Sequence, residues 1–473
     1  MEKGRRILRL DSSVVISLVV KFSIFLIGVA IMGLLSTRQE LTLCGSSSPG
    51  NVNIYSAPFG DVEAYTDYRD LYLRCLVNPF HGGKSAYNLP IVYNYPPLFL
   101  YLISGFSLLN FVWASAIPLI LFDALTVIPL YLIAKNYLFN GNEKLAFAVS
   151  LIWIFNPINL FYSDLMWLNP APTTFFVMLA LYFLLKQDWT LSSVSLAVAT
   201  GLKQTAVLLF PIFLIWMMRT AGFPRRMILA YSVLFVSMMV IISTPYIFKN
   251  PQLYFWALQL PIFGIPPGGS ASNPTTFTYD LSQPTRLTTF LGLIKFVNLQ
   301  SFTVATYNYL NYVFAVAYAL VLLQFGIGIR NLKSAASYIV GKLEESFGSL
   351  AKPSPKSTEV ETVKKTRDFP IVDRPPTANE LLIYSLTALL LFLSLFGRGD
   401  YKYYFVGITP LALPLFTSKG RAVIYVAFSA ALILLPREVT PWMAILLLTL
   451  IPQLLITPET DTLEKEQPVL SQK

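Results

Sequence analysis

Apolar residues in this chain come in long unbroken runs, not in the short alternations of a strand or the one-sided stripe of a water-soluble helix. The first run extends from about Ser12 to Leu35, and others recur along the sequence between short polar clusters. Runs of about 18 residues or more are long enough, as helices, to cross a hydrocarbon core of about 30 Å. The pattern predicts an all-α polytopic membrane protein, a bundle of about 10–13 transmembrane or partly spanning helices. The opening residues are basic, as in a signal peptide. The apolar stretch behind them is too long for a signal core and lacks a clear small-x-small cleavage site, so a retained first helix is expected.

Two stretches resist a simple count of crossings. Residues 95 to 138 have length for two crossings, whereas the charge pattern around them asks for an odd number. Residues 190 to 218 carry Lys203 and Gln204 between two apolar halves, and the half from Thr190 to Gly201 is too short to span alone. Helices that reach only part-way are expected there, since non-helical backbone is tolerated at membrane depth where it lines a protein cavity.

Composition strengthens this picture. Hydrophobic residues make up 55% of the 473 positions and charged residues only 13%, against about a quarter in soluble domains. The mean hydropathy is +0.59. The net charge of +10 does not point to nucleic acid, because much of the excess sits in short segments between apolar runs. The positive-inside rule assigns such segments to the cytoplasm. Lys3, Arg5, Arg6 and Arg9 precede the first helix, Arg219, Arg225 and Arg226 form a turn, and Lys419 and Arg421 form another. The stretch from Arg330 to Arg374, rich in Pro, Ser, Thr, Glu and Lys, reads as a solvated cytoplasmic linker.

These ends divide the chain into an N-terminal transmembrane module, 1–330, a polar linker, 331–377, and a C-terminal transmembrane module with a short cytoplasmic tail, 378–473. With both termini cytoplasmic, the outer face receives loops 37–93 and 248–303, the turn from Arg398 to Lys402, and the junction from Asn156-Pro157 to Asn169-Pro170. Cys44 and Cys75 both fall in the large first outer loop. A disulfide there and two free thiols are both open.

Candidate chemistry concentrates on that outer face. Residues 61–70, DVEAYTDYRD, hold Asp61, Glu63, Asp67 and Asp70. Asp61 follows Gly60 and suits a helix N-cap, so a capped, solvated juxtamembrane helix is one reading. A general base or metal-ligand cluster facing a cavity is the other, since low-dielectric surroundings raise a carboxylate's proton affinity. YNYPPLFLYL, residues 93–102, opens the next apolar run, with Pro96-Pro97 suited to a first helical turn. In GLKQ, residues 201–204, Lys203 either snorkels to the interface or faces inward and neutralises an anion. Gln204 beside it and the break at Gly201 favour the inward reading. GRGDYKYYF places Arg398, Asp400 and Lys402 in a short outer turn against the positive-inside bias, which points to phosphate binding rather than a bare surface network. His81 is the only histidine, which excludes a multi-histidine zinc site. No phosphate-binding P-loop, dinucleotide glycine pattern or nucleophile elbow occurs in a credible setting, which argues against ATP-driven transport.

Taken in order over residues 10 to 420, these motifs resemble the polytopic glycosyltransferases of the C-type fold (GT-C), the mannosyltransferase-like branch above all. The likeness runs through D-V-E-A-Y at 61–65, N-P-F at 78–80, Y-P-P-L at 95–98, S-D-L-M-W-L-N at 163–169, G-L-K-Q at 201–204 and R-G-D-Y-K-Y-Y at 398–404. It implies a GT-C-like bundle with a large first extracytoplasmic loop. It implies transfer of a sugar, a hexose such as mannose, from a polyprenyl- or dolichyl-phosphate donor. The acceptor would be a glycolipid or glycoprotein on the extracytoplasmic face. The resemblance makes Asp61 the catalytic carboxylate, with Asp67 as the alternative. It gives Glu63, Lys203, Gln204, Arg398, Asp400, Lys402, Trp167 and Asn169 to substrate. No cofactor is required by it; a divalent cation, held by Asp61 and Glu63, is left open. Two rivals remain: a secondary transporter using Lys203 and Asp123, and a non-catalytic lipid-binding membrane protein. No internal repeat supports the transporter.

Overall fold

The computed structural model describes residues 2–42, 49–55, 95–106, 112–220, 224–248, 300–327, 375–395, 402–417, 419–435 and 440–456. The first helix, α1 (Glu2–Leu35), shows how the bundle is organised. Ser13, Ser17, Lys21, Phe25 and Met32 are buried along one stripe, with Gly28 also buried on it, at the three-and-four spacing of a helix face. Val15, Val19, Leu26 and Leu34 point outward and are exposed. A helix that buries its polar side chains and exposes its valines and leucines is partitioned for lipid outside and protein inside.

Among the described residues four helical stretches are long and apolar enough to cross a membrane: Arg9–Leu34, Ala114–Leu138, Arg225–Pro245 and Ala378–Leu395. Taken together as one span, the bent pair Glu143–Ile154 and the π-helical turn Asn159–Leu165, which meet at 61°, would make a fifth. Within 95–138 lie the short helix α2 (Pro97–Ser104), α3 (Ile117–Leu125) and α4 (Val127–Ile133). The last two belong to the single apolar stretch Ala114–Leu138, which is long enough to cross a membrane once. Pro96 and Pro97 open α2, where a missing backbone N–H costs no helical bond.

The bend after α5 (Glu143–Ile154) has a local cause. Pro157 has no N–H to give the carbonyl of Trp153, four residues back. The side-chain amide of Asn159 supplies a donor to that carbonyl at 3.3 Å. Asn156 caps the turn by accepting from the N–H of Ile158 at 3.1 Å, and its own amide donates to Ser429 at 3.3 Å. The chain then continues as α6 (Pro170–Leu185), followed by α7 (Trp189–Leu202). At Lys203 the backbone is extended, φ −152° and ψ 121°, before a 3-10 turn Gln204–Leu208 and α8 (Leu209–Arg219). The broken helix expected around Lys203 is therefore present.

The remaining helices are α9 (Arg225–Ile247), α10 (Gln300–Ile327), α11 (Ala378–Leu395), the single turn α12 (Phe405–Ile408), α13 (Lys419–Leu434) and α14 (Thr440–Ile456). The body is all-helical as expected. The segment after α1 adds a two-stranded antiparallel hairpin, β1 (Ser36–Thr42) with β2 (Pro49–Tyr55), in register from Ser36 opposite Tyr55 to Thr42 opposite Pro49. One continuous apolar core joins Leu130, Trp153, Leu181 and Phe213 to Leu390, Phe405, Leu411 and Tyr425. Helices on both sides of the 331–377 segment thus fill the same interior.

Candidate functional site

The break after α7 aims Lys203 into the bundle. Gly201, two residues earlier, lies tight against its neighbours. A Cβ there would stand 3.3 Å from Leu98 Cβ and 3.2 Å from Ile242 Cδ1. Helix α7 can close on α2 and α9 because that side chain is missing. The extended Lys203 that follows sends its stem inward, and the residue is only 4% exposed. Its Nζ donates to Asn169 Oδ1 at 3.0 Å. The same ammonium stands 3.8 Å from the ring centre of Tyr404 and 4.9 Å from that of Tyr403. Aromatic faces attract a cation through the ring quadrupole, more strongly once water is excluded.

Lys203 forms part of the wall of a small cleft of about 50 Å³. Pro170, Thr173, Thr174 and Val177 of α6 line one side, with Thr205, Ala206 and Leu209 beside Lys203. Leu389, Phe392 and Leu393 of α11 complete it with Tyr404, Gly407 and Ile408. The lining is mostly apolar, with the ammonium and a few hydroxyls set into it. Asn169, which holds Lys203, keeps its Nδ2 buried without a hydrogen-bond partner among the described residues.

The last third of the chain reaches this cleft through residues 402–408. Tyr403 and Tyr404 are stacked, ring centres 4.9 Å apart. Lys402 donates to the carbonyl of Ile433 at 3.1 Å and to that of Leu435, at the C-terminal end of α13, where helix carbonyls lack internal partners. Gly407 brings α12 onto α6, a Cβ there standing 3.4 Å from Thr174 Oγ1.

A second polar cluster lies in the bundle interior. Lys21 of α1 donates to Asp123 Oδ2 of α3 and, at 2.9 Å, to Asp164 Oδ2 in the π-helical turn, and all three side chains are fully buried. The indole N–H of Trp153 donates to the carbonyl of Asp123 at 3.3 Å, while the Trp153 ring lies 5.4 Å from the Lys21 ammonium. Ser17 donates to the carbonyl of Ala124 at 2.9 Å. Beyond Asp164, the chain turns at Trp167 in the left-handed conformation, φ 56°, with the ring buried 5.4 Å from that of Phe25.

Of the residues singled out from sequence, Lys203 and Asn169 are brought into direct contact. Gln204 starts the next turn, Lys402 adjoins the two tyrosines, and Trp167 packs against α1 two residues before Asn169. Asp61, Glu63, Asp67, Arg398 and Asp400 lie outside the described residues, as do Cys44, Cys75, His81 and most of loops 37–93 and 248–303. Among the described residues no group of three or more His, Cys, Asp or Glu side chains is placed to hold a metal ion. Sequence reasoning missed the roles of Tyr403, Tyr404 and Thr173. It also overlooked Lys21, although a lone lysine inside the first apolar run is the signal of an intramembrane ionisable site. Asp123 drew notice only as a transporter residue; its partner is Lys21.

The described residues form a helical protein with several helices long and apolar enough to cross a membrane. Residues 73–264 match the family described as PIG-U, GPI transamidase subunit. Among solved structures the chain is similar to the crystal structure of the Archaeoglobus fulgidus oligosaccharyltransferase in its apo form, at 13% identity and a TM-score of 0.40. That match covers 92% of this chain and 55% of the other, so the chain spans about half of that enzyme's length. No curated protein matches in sequence.

Proposed function

We propose that this chain is a membrane glycosyltransferase that moves a hexose, mannose by resemblance, from a polyprenyl- or dolichyl-phosphate donor to a glycolipid or glycoprotein acceptor. Both chain termini face the cytoplasm and the reaction takes place on the opposite face. The observation that carries the reading is the setting of Lys203: an ammonium held by Asn169 and Tyr404 on the wall of an otherwise apolar cleft. A cation set among apolar walls is the surrounding that the phosphate end of a lipid-linked donor would need, and it is this pairing that supports the reading.

The reaction is a displacement at the anomeric carbon. The acceptor oxygen forms the new bond as the bond to the donor phosphate oxygen breaks, and the acceptor's proton passes to Asp61, or to Asp67 in its place. Lys203 takes up the charge that develops on the leaving phosphate, a preorganised electrostatic role in a site with little water. Gln204, Arg398, Asp400, Lys402, Glu63 and Trp167 complete the substrate surroundings in this reading. Turnover of radiolabelled polyprenyl-phosphate-sugar by purified membranes tests it. Asp61→Asn is expected to fold and to lose transfer, and full transfer by that variant overturns the assignment.

The family match favours a second reading. A chain similar to a transamidase subunit over 73–264 would hold a glycolipid in the same cleft for a partner that does the chemistry. In that case Lys203→Met abolishes glycolipid capture, and no sugar transfer is found with the unaltered chain.

A further inference from the structure

The cluster of Lys21, Asp123 and Asp164 has one ammonium and two carboxyl groups, all three fully buried inside the bundle. Each carboxyl gives its Oδ2 to the same Lys21 nitrogen. Two oxygens within hydrogen-bond reach of one nitrogen lie no more than about 6 Å from each other. The second oxygens, Asp123 Oδ1 and Asp164 Oδ1, are buried and have no hydrogen-bond partner among the described residues. Charge therefore does not balance with all three groups ionised: one negative charge is left in a low-dielectric interior, where an uncompensated ion is far more costly than a neutral group.

From this geometry we infer that the Lys21–Asp123–Asp164 cluster is a binding site for a single proton, shared by the two aspartates. Two carboxyl groups held close together satisfy each other best with one proton between them. A metal cation fits the same charge deficit poorly. It would sit within a few ångströms of the ammonium, and it needs several oxygen ligands where two unpartnered oxygens are on offer. Among the described residues the neighbouring elements contribute no further charge to the balance: α5 presents the ring and indole N–H of Trp153, and α1 presents Ser17, whose hydroxyl is used on the Ala124 carbonyl. Lys135 and Glu143 are paired with each other at 2.7 Å.

Infrared spectroscopy of the full chain in lipid nanodiscs at neutral pH tests this. The unaltered protein is expected to show a protonated-carboxyl carbonyl band that shifts in heavy water and is lost on Asp123→Asn or Asp164→Asn. Either single variant keeps the proton-bearing group's shape without its proton, so its unfolding midpoint is expected to stay within a few degrees of the parent. Lys21→Met and the double asparagine variant, which remove one side of the balance, are expected to fall by roughly 5 °C or more. Absence of the band overturns the proposal even if no variant folds. A midpoint that rises in sodium relative to choline also overturns it, because the missing charge would then be a metal ion.

Discussion

A lysine ammonium buried among apolar side chains is expensive, and the protein spends Asn169, Tyr403 and Tyr404 on making Lys203 tolerable. Stability alone gives no reason to keep it: replacing a buried ion with an apolar residue of similar size is often neutral or stabilising. Lys203→Met is therefore expected to unfold at or above the parent's midpoint in detergent while losing at least tenfold in transfer, a loss of about 1.4 kcal/mol or more in transition-state stabilisation. A drop in midpoint with transfer intact would make Lys203 a purely structural residue. The tyrosine ring adds a graded test. Tyr404→Leu removes the face that the ammonium rests on, an interaction of about 0.5–2 kcal/mol, whereas Tyr404→Phe keeps it. Donor KM is expected to rise more in the leucine variant than in the phenylalanine variant, and the reverse order would deny the ring that role.

At the scale of elements, α1 is the brace for the broken segment that delivers Asn169. Its inner stripe meets that segment at Lys21 and Asp164, at Phe25 and Trp167, and at Gly28. A Cβ on Gly28 would stand 2.9 Å from the Leu165 carbonyl oxygen and 3.0 Å from the Trp167 ring, while one on Gly33 would meet nothing within 4 Å. Gly28→Ala is thus expected to cost about 1–3 kcal/mol by overpacking. Gly33→Ala should be neutral or stabilising by up to about 1 kcal/mol through helix propensity. Thermal unfolding of the two single variants checks the pair, and equal effects would mean that α1 is not seated as described. The same segment shows what was legible beforehand. Apolar run length announced the four long apolar helices among the described residues, short of the about 10–13 expected from it, and the Asn-Pro pairs and Lys203 announced the breaks, because proline and an interrupting charge act on the backbone locally. The Lys21 cluster was not legible, since its members are 102 and 143 residues apart in sequence and only packing joins them. The hairpin at 36–55 was missed for a different reason: STRQELT and PGNVNIY have little of the apolar alternation that announces a strand.

At the scale of the molecule, the shared core brings the 402–408 segment onto α6 and the Lys203 break, so Tyr404 of the late motif and Lys203 of the G-L-K-Q motif line one cleft. The catalytic reading requires more: Asp61 from the first loop has to reach that cleft from the same side of the bilayer as Arg398. Sidedness is measurable without activity. With Cys44 and Cys75 replaced by serine, cysteines introduced singly at Asp61, Arg398 and Ser354 can be probed by a membrane-impermeant thiol reagent on intact cells. The positions at Asp61 and Arg398 are expected to label from outside, while the one at Ser354, in the basic 331–377 segment, labels only after the membrane is opened. Agreement between the first two positions leaves the carboxylate and the leaving-group cations on one face, where a displacement reaction can use both. Labelling of Asp61 and Arg398 from opposite sides would separate the base from the phosphate by the thickness of the bilayer. No rearrangement of the 61–70 loop could then restore transfer, and the cleft would be left to the lipid-holding role alone.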